Sequence, residues 1–312
     1  MPFEDVALAE AKKGMSVNME IMLIEYADKK YPQRLKDIKN PPSRLYAIGN
    51  IDCLNEIGIA VIGSRTNTIY GEKVCKKFTK ELVEYNINII SGLAYGIDSI
   101  AHQTCLMNSG KTIAVLPSGL KNISKATNSK LVDYILKNNG AIISEYENEV
   151  SANSNKFLER NRIVAGLSIG TLVIEAGYRS GTSVTARYTI ENDRCLFCVP
   201  SSLENIKGKT TNQLIQKGAK LVTCAEDIIK EINQKNPEFE FKKKKVKDKE
   251  LYLDISPELI DVYSKISDIP IDVNSISLQT KLSIGDVNYK LMLLQLNEKI
   301  IELPGKRFIK KK

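Results

Sequence analysis

Short apolar runs alternate with amphipathic stretches through the middle of the chain. The runs are IAVIG (59–63), INIISG (87–92), TIAVLP (112–117), AIISE (141–145), TLVIEA (171–176) and CLFCVP (195–200). They are rich in Ile and Val, as strands buried on both faces are. Between them lie helical patterns such as GEKVCKKFTKELVEYN (71–86) and SKLVDYILKNNG (129–140). Strand followed by helix, repeated, predicts an α/β fold: an extended Rossmann-like, mostly parallel sheet with helices on both faces. Ligands of such folds bind at the carboxyl ends of the strands.

Other patterns flank this region, 41–234. Residues 1–40 read as a short helical segment ending near Tyr31-Pro32. Residues 235–250, within KNPEFEFKKKKVKDKEL, read as a lysine-rich linker, a solvated tether rather than a nucleic-acid patch. Residues 251–312 restart a compact pattern. SPELIDVYSKI predicts a helix with Ser256 as N-cap and Pro257 at its first position. DVNSISLQTKL and SIGDVNYKLMLLQLNEK predict two more, and IIELPGKRFIKKK a hairpin around Pro304-Gly305. Three helices and a hairpin outline a small C-terminal winged-helix domain.

Composition narrows the function classes. The 312 residues hold 45 Lys plus Arg against 37 Asp plus Glu, a net charge of +8, which favours polyanionic partners, nucleic acid first. The bland alternative is a lysine-rich proteome with no binding meaning. The one histidine, His102, rules out chemistry needing two or three, and reads as a packing residue. Cys195 and Cys198 form a C-x-x-C without a second pair, so structural cysteines are expected and no metal site. No apolar window is long enough to span a membrane, and the acidic start MPFEDVALAE is unlike a signal peptide, so a cytoplasmic protein is expected.

The candidate chemistry lies in the turns. IAVIG runs into Gly63-Ser64-Arg65, a strand-to-helix turn that offers backbone N–H groups and an arginine fork to phosphate. Ser91-Gly92 and Gly96 bracket a second turn, where glycine permits close approach of a ligand. Arg160 and Arg162 follow, then Ser180-Gly181, a small-residue turn opening another helix. Glu175, at a strand end, reads as a buried ion-pair partner of Arg160 or Arg162 ahead of a catalytic acid. Neither G-x-G-x-x-G nor a P-loop motif occurs, so no nucleotide cofactor is expected. Together, these turns in order along an α/β chain specify a phosphate-reading crevice. Tyr70 and Tyr95 are candidates for stacking on bases, although filling core or surface is the plainer role.

These residues resemble the DNA-processing protein A family (DprA, also called Smf). The likeness covers roughly 25–230 and rests on Tyr31-Pro32, Asn40-Pro41-Pro42, Gly63-Ser64-Arg65 with Tyr70-Gly71, and Ser91-Gly92-Leu93-Ala94 with Gly96-Ile97-Asp98. Arg160-Asn161-Arg162, Glu175-Ala176, Ser180-Gly181 and Thr211-Asn212 continue it. The resemblance implies a homodimeric protein that binds single-stranded DNA and loads a RecA-type recombinase during natural transformation. It implies no catalysis. It also implies that Gly63, Ser64, Arg65, Ser91, Gly92, Gly96, Arg160, Arg162, Ser180 and Gly181 contact DNA, with Lys130 at a basic position of the groove. The chain departs from the family at Asn122–Ala126, where Tyr-Pro is usual after Gly119-Leu120, and at Ser201 after Pro200. The rival from another class is a Rossmann-like nucleotide phosphoribohydrolase, faintly matched by Gly170-Thr171 with Glu175. A third reading is a regulator whose winged helix reads duplex DNA.

Overall fold

Alternating side chains along β3 (Gly58–Ile62) enter two different cores, and this sets the architecture. Ile59 and Val61 join Phe78 and Leu82 on one face of the sheet, while Ala60 and Ile62 join Ile163 and Leu167 on the other. Residues of a strand point alternately to opposite faces, so a strand apolar at every position must be covered on both. The computed structural model describes residues 20–125, 129–177, 180–243, 256–297 and 299–311. It divides the chain into two compact units, 1–244 and 245–312.

In the first unit the strands are β1 (Met22–Glu25), β2 (Arg44–Gly49), β3, β4 (Asn88–Ser91), β5 (Thr112–Val115), β6 (Ala141–Ser144), β7 (Gly170–Val173), β8 (Cys195–Cys198) and β9 (Lys220–Leu221). The described helices are α1 (Gln33–Lys36), α2 (Ile69–Glu84), α3 (Ile97–Met107), α4 (Ser129–Lys137), α5 (Ser154–Leu167), α6 (Gly181–Glu191), α7 (Lys209–Gln216) and α8 (Ala225–Lys235). The sheet runs β1-β2-β6-β5-β4-β3-β7-β8-β9. It is parallel from β6 to β9, with β2 and β1 added antiparallel at one edge. The chain winds outward from β3 to β6, then returns to β7 beside β3 and winds the other way. The β3–β7 boundary is therefore a topological switch point, where diverging loops leave a crevice.

Three expectations need correction. Met22–Glu25, assigned to a helical segment, is an edge strand paired with β2. Its four residues bury Ile24 and expose Leu23, an alternation too short to outweigh the surrounding helical composition. The tether is anchored at its start, although Glu240 and Lys242 stay exposed. Phe239 and Phe241 pack on the core beneath α2 and α8, and Lys243 sits 3.2 Å from Glu84 and 3.6 Å from Glu226. Aromatic burial and two carboxylates hold this stretch in place. Glu175 pairs with neither Arg160 nor Arg162, as the site geometry explains.

Cys195 and Cys198 lie on opposite faces of β8, in separate cores, because positions three apart in a strand point apart. Burial pushes both thiols up, Cys198 to about 12, as inert structural thiols are.

The second unit holds α9 (Ile260–Tyr263), β10 (Ile271–Asp272), α10 (Val273–Thr280), α11 (Ile284–Leu296), β11 (Ile300–Leu303) and β12 (Arg307–Lys310). Its core gathers Leu259, Val262, Ile276, Val287, Leu291, Leu294 and Phe308. The first helix is shorter than the pattern implied, opening as a tight turn over Pro257–Leu259. The hairpin gains a third strand, since β10 pairs with β12 through Ile271 and Phe308. Asp272 caps α10, its carboxylate accepting from the Ser275 backbone N–H at 3.0 Å.

Candidate functional site

At the switch point the loops after β3, β4 and β7 meet the start of α5 around a cleft of about 620 Å³. The first loop is Gly63-Ser64-Arg65-Thr66. Ser64 Oγ accepts from the Thr66 backbone N–H at 3.2 Å, which shapes the turn. Thr68 then caps α2, accepting from Gly71 N–H at 3.0 Å. Glu175, fully buried at the end of β7, accepts from the backbone N–H of Thr68 at 2.9 Å and from its hydroxyl at 2.5 Å. Asn205 donates to the same carboxylate at 3.3 Å. Glu175 thus occupies the positive end of α2, a place that stabilises a carboxylate. That is why it holds neither arginine. At the amino end of α6, Ser180 Oγ accepts from the Thr182 N–H at 3.1 Å, and among the described residues nothing lies within 4 Å of where a Gly181 Cβ would stand.

Arg160 comes from α5 and is 4% exposed. Its Nη1 donates to the Gly92 carbonyl at 2.8 Å and to the Val115 carbonyl, and its Nε to Asn161 Oδ1 at 3.1 Å. Asn161 in turn donates to the Gly181 carbonyl at 3.2 Å. Asp98 accepts from Gly92 N–H at 3.1 Å. Burial lowers Arg160 to about 10; Asp98 opposes the shift and nearby Arg65 adds to it. Burial raises Asp98, against the pull of Arg160 and of the Ala94 and Gly92 N–H groups. Arg65 lies 5.0 Å from the Phe157 ring centroid and Arg160 6.0 Å from it, so one aromatic shelf carries both guanidinium groups. Among the described residues Arg65 has no carboxylate partner.

Seven of the expected site residues line this cleft: Gly63, Ser64, Arg65, Gly92, Arg160, Ser180 and Gly181. Three do not. Ser91 is buried in the sheet, its hydroxyl donating to the Val61 carbonyl at 2.7 Å. Gly96 lies behind the first loop with φ +76°, and a Cβ there would stand 2.3 Å from the Ser64 carbonyl. It supports the Arg65 turn from outside. Arg162 points away and donates to Glu145. Residues two apart on a helix face in nearly opposite directions, so Arg160 and Arg162 cannot share a wall. The side chain of Lys130 lies outside the described residues.

The sequence reading missed Phe157, Asn161, Thr182 and Lys207. Phe157, Arg160, Asn161 and Val164 all line the cleft, and their helical spacing of 3, 4 and 7 from Phe157 was a usable signal. Thr182 donates to the Gly63 carbonyl at 3.2 Å. Lys207 donates to the Thr66 carbonyl from a single 3-10 turn, Ile206–Gly208, too short to show a period, so nothing in the pattern marks it. His102 is fully buried away from the cleft, 2.6 Å from Thr112 Oγ1. Tyr70 donates to the Pro200 carbonyl at 3.0 Å and borders a neighbouring cavity. Tyr95 is 59% exposed and outside the cleft lining.

The chain matches the family model described as DNA recombination-mediator protein A over residues 22–233. It is 38% identical over 202 residues to Protein Smf of Escherichia coli (strain K12), covering 65% of this chain and 54% of that protein, so it spans about half the length of that relative. It is 36% identical over 220 residues to DNA processing protein DprA of Bacillus subtilis (strain 168), covering 70% and 74%. Among solved structures, DNA processing protein A of Streptococcus pneumoniae is similar with a TM-score of 0.64 and 36% identity over 76% of this chain and 79% of that one. DNA processing protein A of Helicobacter pylori, described for its single-stranded DNA binding mode, is similar with a TM-score of 0.62 and 30% identity over 71% of this chain and 99% of that one.

Proposed function

The chain belongs to the DNA recombination-mediator protein A family, and from that membership we propose that its switch-point cleft grips the sugar-phosphate chain of single-stranded DNA. The observation that carries this reading is Arg65, a guanidinium set over Phe157 without a carboxylate partner among the described residues, in the same cleft as the Ser180-capped amino end of α6. Arg65 and Lys207 supply charge, while Ser64, Ser180 and the backbone N–H groups of the turns supply donors. Arg160 is spent on carbonyls and acts by holding the walls together. A site that reads phosphate takes strands of any sequence and weakens as salt rises.

In this reading the protein acts without catalysis or nucleotide cofactor, in the cytoplasm and as a homodimer, shielding incoming single strands and loading a RecA-type recombinase during transformation. No described helix is long and apolar enough to cross a membrane. The phosphoribohydrolase alternative needs a free carboxylate beside the substrate. Glu175 is committed to Thr68 and Asn205, and Asp98 to the Gly92 backbone.

The test is Arg65→Glu. Single-strand affinity is expected to fall by about tenfold or more at moderate salt, since one phosphate contact becomes a repulsion. Unchanged affinity in a chain that melts normally would overturn the assignment. Release of free base from nucleoside monophosphates would favour the enzyme.

A further inference from the structure

The last described helix of the second unit, α11, stands where a winged helix carries its groove-reading helix, and its own residues offer no free cation for that task. Such a helix offers polar groups to base edges beside cations that hold phosphate. The outward face of α11 is mostly apolar, with Ile284, Tyr289 and Met292 exposed by 52%, 60% and 49%, and Asn288 is its one exposed amide. At its amino end Asp286 accepts from the Ser283 hydroxyl at 2.6 Å, so a carboxylate sits where a backbone phosphate would dock. The one basic residue of the helix, Lys290, lies 2.7 Å from Asp261 with its side chain only 19% exposed.

The hairpin has the opposite character. Ile300 and Phe308 are buried and pin it to the core, which turns Arg307 outward by strand alternation. The tip, Pro304-Gly305-Lys306, turns through φ values of +83° and +51° at its last two residues. Arg307 Nε donates to the Pro304 carbonyl at 3.3 Å, which holds the guanidinium at the tip. Lys306 and Arg307 are exposed and have no ion-pair partner among the described residues. Lys299, Lys310 and Lys311 add charge to the same hairpin, Lys310 resting 4.4 Å from the Tyr263 ring centroid. The one carboxylate described there, Glu302, accepts from Gln295 at 3.0 Å.

We infer that this unit holds nucleic acid by its phosphates through the hairpin tip, and that α11 does not enter a groove. The choice of nucleic acid as the polyanion rests on the function proposed for the cleft. A lipid surface fits less well, because Pro304–Arg307 includes no large apolar side chain to insert. A tip of this kind contacts duplex and single strand alike, without base readout.

The experiment uses the full chain in two backgrounds, wild type and Arg65→Glu. In each, the pair Lys306→Glu with Arg307→Glu is compared with the pair Asn288→Ala with Tyr289→Ala. Gel shifts with single-stranded and duplex DNA at two salt concentrations are read, with melting curves to confirm folding. The hairpin pair is expected to weaken the binding left in the Arg65→Glu chain by about tenfold, on both DNA forms. The helix pair should stay within about twofold. Loss of duplex binding by the helix pair alone would overturn the inference. So would capture of anionic vesicles, rather than DNA, through the hairpin. If Arg65→Glu abolishes all binding and the hairpin pair leaves the wild-type chain unaffected, the inference falls and the cleft stands. If Arg65→Glu changes nothing, the cleft reading falls, and the hairpin pair still decides the inference in that chain.

Discussion

The guanidinium of Arg160 donates to the carbonyl of Gly92 at 2.8 Å across 68 residues of sequence. That bond joins α5 to the loop after β4. The same nitrogen reaches Val115 at the end of β5, and neighbouring Asn161 reaches Gly181 at the start of α6. Three loops from distant parts of the chain are thereby fixed around one buried cation.

Replacing Arg160 should therefore cost stability as well as binding. Arg160→Leu leaves Asp98 and two carbonyls without their cation, and loss of one partner from such a buried set costs about 3 kcal/mol. Urea denaturation is expected to show a loss of that order, with weaker single-strand binding even where the variant is folded. Wild-type stability would mean that the guanidinium is not the strut described.

Gly92 has no room for a side chain. A Cβ there would lie 2.6 Å from Arg160 Nη2 and 2.8 Å from Nη1, the nitrogen held by two carbonyls. Gly92→Ala is expected to cost about 1–3 kcal/mol, as overpacking does. Single-strand affinity should drop with it, and both are read from one purified variant by melting and titration.

Lys207 offers a cleaner view of the electrostatics, because it lines the cleft from a 3-10 turn outside the arginine set. Removing one phosphate contact from a single-strand binder makes the plot of log affinity against log salt shallower by about 0.7. Lys207→Ala should show that change equally on oligonucleotides of different sequence.

His102 is the chain's one histidine. Burial lowers it from its ordinary value to about 3, with the positive charge of Arg160 pushing the same way. A group whose folded value is depressed binds its proton more readily in the unfolded chain. Its contribution to stability is full above pH 6.5 and is lost as the pH falls towards 3. Between pH 6.5 and 5 the wild type should lose about 2 kcal/mol more than His102→Gln. Urea melts at the two pH values measure the difference, and parallel losses would refute the burial.

The parallel strands β3 to β8, the glycine-serine turns and the hairpin were legible in the sequence, because each is a local pattern. Strands covered on both faces must be apolar at every position, and turns that approach a ligand draw on glycine and serine. Local pattern also marked the turns of Arg65 and Gly181, both of which line the cleft. It failed for Met22–Glu25, where four residues give too little alternation and pairing with β2 decides the strand.

What the sequence determined by itself was the order of elements and the residue types at each strand end, since these follow from hydrophobic period and backbone freedom. Tertiary structure alone decided which charges meet. Arg160 became a buried strut and Arg162 a partner of Glu145, Glu175 went to the amino end of α2, and Lys207 arrived from a single 3-10 turn too short to show a pattern. The physical reason is that a charge is placed by the dipoles and carbonyls that surround it after folding, and those come from residues far away along the chain.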